Sequence, residues 1–80
     1  MKILLVDDDE FVRTLLLEQL QAEGHEVVTE NNVDDALTLL SENAFDLLIT
    51  DIVMPHKDGG QLMQQARQNG FGNPIIAITG

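Results

Sequence analysis

The chain contains no cysteine. That excludes disulfide bonds and thiolate metal sites, and it is compatible with a reduced cytoplasm. Positive charge is scarce: four Lys and Arg stand against fourteen Asp and Glu, for a net charge of −10. Such a surface repels phosphate backbones, so direct nucleic acid binding is not expected. Long apolar runs are also missing. The N-terminal run Ile3-Leu4-Leu5-Val6 is too short for the hydrophobic region of a signal peptide, and no run approaches the length of a bilayer span. The expectation is a soluble cytoplasmic protein with no membrane contact. What is present is 44% hydrophobic residues in 80, enough for one small globular domain, residues 1–80, with a thin stability margin.

Hydrophobic patterning divides the chain into alternating elements. Ile3–Val6 is a continuous apolar run of the kind found in strands buried on both faces, and it stops at Asp7-Asp8-Asp9. Phe11, Val12, Leu15, Leu16, Leu17 and Leu20 follow at helical spacing, and Gly24 closes that helix. Val27-Val28-Thr29 is a second, less apolar strand, expected at a sheet edge. Asn32 is placed to cap a second helix, with Asp34 and Asp35 in its first turn. Leu47–Thr50 is a third strand that runs into Asp51, and Ile52 to Asp58 reads as a loop. Leu62, Met63 and Ala66 mark a third helix ending near Gly70, and Ile75–Ile78 is a fourth strand. The order β-α-β-α-β-α-β predicts an α/β open parallel sheet with right-handed crossovers.

Parallel strands joined by crossover helices all finish at one rim of the sheet, where such folds bind ligands. The residues just past those strand ends are Asp7, Asp8 and Asp9, then Asn31, Asp51, and Thr79 with Gly80. Acids therefore converge from two strands. Crowded carboxylates repel one another, and a bound cation relieves that repulsion. Oxygen ligands without His or Cys select a hard ion, Mg2+ or Mn2+. A metal beside a carboxylate and a hydroxyl suits phosphoryl transfer, with a carboxylate oxygen attacking phosphorus in line.

Three segments carry a resemblance to a known family. Val6-Asp7-Asp8-Asp9 resembles the acid pair of response-regulator receiver domains, the CheY-like modules of two-component signalling. Asp46 to Pro55, followed by Asp58-Gly59, is similar to their phosphoacceptor strand and loop, and Ile75 to Gly80 resembles their fourth strand with its switch hydroxyl. The resemblance implies a flavodoxin-like, doubly wound parallel sheet with strand order 2-1-3-4-5, which sets the first and third strands side by side. It implies that Asp51 accepts a phosphoryl group from a histidine kinase or histidine phosphotransfer protein, and that Thr79 reports the modification. Mg2+ would be held by Asp8 and Asp51, by Asp7 through water, and by the backbone carbonyl of Val53. A receiver is a phosphoacceptor and not an enzyme in the ordinary sense, at most catalysing its own phosphorylation and dephosphorylation.

The residues also admit plainer readings. Asp9 is expected to cap the first helix, Lys57 to be a solvated charge, and His25 and His56 to be isolated. Receiver domains continue with a fourth helix, a fifth strand and a fifth helix, bearing an invariant lysine and an aromatic switch residue. The lysines here are Lys2 and Lys57, so the expectation is a receiver lacking its C-terminal third. Its fourth-strand edge and first-helix face would then favour self-association. Two alternatives to a signalling module follow: a non-phosphorylatable interaction fragment, or a metal-dependent phosphohydrolase using Asp51. Haloacid-dehalogenase-type hydrolases carry a second acid two residues after the nucleophile, where this chain has Val53.

Overall fold

The computed structural model of the protein describes residues 1–54 and 58–78. The elements run β1 (Lys2–Val6), α1 (Glu10–Ala22), β2 (Glu26–Glu30), α2 (Val33–Glu42), β3 (Leu47–Asp51), α3 (Gly59–Gln68) and β4 (Ile75–Ile78). The strands form one parallel sheet in the order β2-β1-β3-β4. This is the flavodoxin-like alternation expected from the sequence, with β2 at an edge.

Local chemistry explains where the helices start and stop. Asp9 caps α1 by accepting from the backbone N–H groups of Phe11 and Val12, at 2.9 and 3.1 Å. Asn32 caps α2 through Asp35 N–H at 2.8 Å, and Asp58 caps α3 through Gln61 N–H at 2.8 Å. After α1 the chain turns at Gly24, whose φ of 92° is a conformation that only glycine adopts without strain.

The alternating side chains of the strands build two cores. Leu4, Val6 and Leu48 point to one face, where Val33 and Ala36 of α2 and Leu62 and Ala66 of α3 bury them. Ile3, Leu5, Leu47 and Ile49 point to the other, beneath Leu16, Leu17 and Leu20 of α1. The two sides are unequal. Helices α2 and α3 bury five residues between them, whereas α1 buries none. Phe11 and Leu15 of α1 are 76% and 44% exposed.

Register follows from these cores, because a one-residue slip would turn every apolar side chain to the opposite face. β1 and β3 pair with Ile3 beside Leu47 and Val6 beside Thr50, which brings Asp7 level with Asp51 one residue further on. At the start of the same pair, Asp46 N–H donates to Lys2 O and Lys2 N–H donates to Asp46 Oδ2, both at 2.8 Å. Chain direction reverses its spread across the sheet between β1 and β3, and the crevice of an open α/β sheet lies at that switch point.

Leu48 is completely buried in the α2–α3 core. Leu48→Ala is expected to lower the unfolding free energy by about 2–5 kcal/mol. The check is a lower urea midpoint at unchanged m-value, while Leu15→Ala on the exposed helix face changes stability by less than about 1 kcal/mol.

Candidate functional site

β1 delivers Asp7 to the sheet rim and holds it there. Its backbone N–H donates to Glu30 O at 3.1 Å, which extends the β1–β2 ladder by one bond. Its Oδ1 accepts from Asp9 N–H at 2.9 Å. The residue is only 2% exposed. Asp8, next in the chain, is exposed, and Asp9 is committed to capping α1. Three consecutive acids thus have three different surroundings.

β3 delivers Asp51 from the neighbouring strand. Thr50, fully buried, donates its hydroxyl to Asp51 O at 2.9 Å, and Asp51 Oδ1 accepts from Val53 N–H at 3.3 Å. Gly59 N–H, at the start of α3, donates to Ile52 O, just past β3, at 2.7 Å. A Cβ on Gly59 would overlap the Asp51 carbonyl oxygen, so the start of α3 can rest on the end of β3 only with glycine at this position.

One carboxylate oxygen each of Asp7, Asp8 and Asp51 lies within 4.8 Å of the others. Burial pushes the Asp7 carboxyl above its ordinary pKa of 3.8. The Asp9 N–H opposes that shift, while the charges of Asp51, Asp8 and Asp9 add to it. An acid whose protonation is favoured inside the cluster is what a site for a positive charge looks like without that charge. The donor set is oxygen from carboxylates, with no sulfur or imidazole, and it fits a hard divalent cation such as Mg2+ or Mn2+.

The structure therefore brings Asp7, Asp8 and Asp51 together. Val53 stands two residues after Asp51, with its backbone N–H on the Asp51 carboxylate and its side chain 77% exposed. Thr79, the expected switch hydroxyl, lies outside the described residues, as do His56 and Lys57. Arg13 was not legible from the sequence as part of this region. Its Nη1 donates to Asp7 O at 2.8 Å, and the only sequence signal is a basic residue among many acids, one turn into a helix.

Comparison with known proteins decides the family. A family model described as the response regulator receiver domain matches residues 3–80. The chain belongs to this family. As a receiver domain it is 43% identical over 79 residues to the sensor histidine kinase RcsC of Salmonella typhimurium, covering 99% of this chain and 8% of that protein. It is 41% identical over 78 residues to the transcriptional regulatory protein CpxR of Escherichia coli, covering 98% of this chain and 33% of that one. The receiver thus spans a minor share of these curated relatives. Among solved structures, the response regulator TrrA of Thermotoga maritima in complex with Mg2+-BeF aligns with a TM-score of 0.92 at 38% identity, covering 98% of this chain and 68% of that one. TrrA in complex with the histidine kinase ThkA gives 0.91 at 38% identity, covering 99% and 68%.

Asp7→Asn keeps an oxygen for Asp9 N–H and removes one of the crowded charges. Because the Asp7 pKa is raised in the folded state, its ionised form costs stability, and the loss grows as pH rises above the ordinary carboxylate range. In chelator at pH near 7, Asp7→Asn is expected to melt higher, by roughly 4–8 °C for each kcal/mol relieved in a domain of this size. The difference should close as the pH falls below about 4, where both forms are neutral at this position. Melting curves across that range check it.

Proposed function

We propose that the chain is the phosphoacceptor module of a two-component relay, taking a phosphoryl group on Asp51 with the help of Mg2+. The observation that carries this reading is the convergence of Asp7, Asp8 and Asp51 within 4.8 Å at the strand ends. Asp8 and Asp51 would ligate the ion directly, Asp7 through water, and Val53 through its backbone carbonyl. When bound, Mg2+ supplies positive charge to offset that on the phosphoryl oxygens. The chain's own residues do the rest. An Asp51 carboxylate oxygen forms a bond to phosphorus as the phosphorus–nitrogen bond of a phosphohistidine donor breaks. The imidazole nitrogen leaves with the electron pair, and the product is an acyl phosphate on Asp51. The Thr50 hydroxyl, donating to Asp51 O, and the Gly59 N–H, donating to Ile52 O, would steady the backbone on either side of the displacement. Thr79 would donate its hydroxyl to a phosphoryl oxygen and report the change.

The partner in this reading is a histidine kinase or a histidine phosphotransfer protein, in the cytoplasm. TrrA, which this chain resembles, forms a complex with the histidine kinase ThkA. Phe11 and Leu15, exposed on α1 beyond the acidic end of β1, offer an apolar contact surface. No helix among the described residues is long and apolar enough to cross a membrane. An exposed Val53, where a hydrolase of the haloacid-dehalogenase type has its second acid, supports the acceptor over the hydrolase.

The test is incubation with Mg2+ and either a small phosphodonor or a phosphorylated histidine kinase, read by intact mass. A labile adduct that Asp51→Asn abolishes with both donors is expected, and Phe11→Ala should slow only transfer from the kinase. Multiple turnover without an adduct would point to a hydrolase, and no adduct from either donor would overturn phosphoacceptance. Ile76, 49% exposed on β4, supports self-association as a second reading. Sedimentation at micromolar concentration is expected to give a dimer if that edge pairs, and a monomer sinks the idea.

A further inference from the structure

The first turn of α1 sets a cation against the acidic rim that the phosphoryl chemistry above does not use. Arg13 is half-buried, and its Nη1 donates to the peptide oxygen of Asp7 at 2.8 Å. The helix fixes where that side chain starts, since Arg13 N–H donates to Asp9 O at 3.0 Å. Asp7 is then held at each of its polar points: its amide by Glu30, its carboxylate by Asp9, and its carbonyl by Arg13. The last tie has the widest effect. The Asp7 carbonyl belongs to the planar peptide that joins Asp7 to Asp8, so fixing its direction also fixes the position of the Asp8 Cα, from which that side chain departs. Asp8 itself is exposed.

We propose that Arg13 is a positioning residue, which sets the Asp7–Asp8 peptide through its carbonyl and so aims two carboxylates at the cation site. The inference rests on the Mg2+ reading of that site. An arginine suits the task, because its guanidinium is always charged and its fork of donors has a fixed geometry.

Position and charge predict opposite signs. If Arg13 acted on the ion only as a nearby positive charge, its removal would tighten Mg2+ binding. If it aims the carboxylates, its removal weakens binding, about tenfold on the scale of groups that orient metal ligands. Calorimetric titration of Mg2+ into the wild-type protein, Arg13→Ala and Arg13→Met separates the two. Arg13→Met keeps the apolar stem, so a folding defect in Arg13→Ala leaves the measurement intact. The expected result is a Kd raised about tenfold in the folded variants, with thermal midpoints in chelator close to wild type. Unchanged or tighter binding in a folded variant overturns the inference alone. A wild-type protein that takes up no Mg2+ overturns the metal site, and the inference with it.

Discussion

The parallel pairing of β1 with β3 is the constraint on which the rest of this molecule depends. Both strands are mostly apolar, and both faces of each are covered, so their mutual register is set by two cores at once. That register carries the acids at the end of each strand to the same level. The cluster of Asp7, Asp8 and Asp51 is thus a by-product of packing that, on its own, opposes folding. Repulsion among the carboxylates is borne by hydrophobic contacts well away from it. Leu4, Leu5 and Leu48, each fully buried, supply part of that margin.

Around the cluster, backbone carbonyls are as closely controlled as side chains. Thr50 fixes Asp51 O, Arg13 fixes Asp7 O, and Gly59 permits the start of α3 to lie against the end of β3. On the proposed reading, a cation and a transferring phosphoryl group would need these ligands aimed before either arrives, because reorienting them later costs free energy. The three acids beyond β1 have different surroundings: Asp7 is buried and held, Asp8 is exposed, and Asp9 caps α1.

The two sides of the sheet differ in how far they are covered. The α2–α3 side is closed over a continuous core. The α1 side covers Ile3, Leu5, Leu47 and Ile49 with a helix that buries none of its own residues. Apolar surface is therefore left at Phe11, at Leu15 and at Ile76 of β4. Phe11 and Leu15 stand on the helix that begins just past the acidic end of β1.

Much of this was legible from the residues. Short apolar runs ending in acids announced the strands, Asp9 and Asn32 announced helix starts, Gly24 announced a stop, and strand-end logic alone put Asp51 with Asp7 and Asp8. These features are local, or follow from a topology with few alternatives, which is why the sequence by itself determined the architecture and the acidic rim. Gly59 against the Asp51 carbonyl and Arg13 on the Asp7 carbonyl were not legible in that way. Each depends on how far one element leans on another, and spacing along the chain carries no such distance. Only the tertiary structure decided that Asp7 is buried while Asp8 is exposed, because burial is a property of what packs around a residue and the two share the same chemistry.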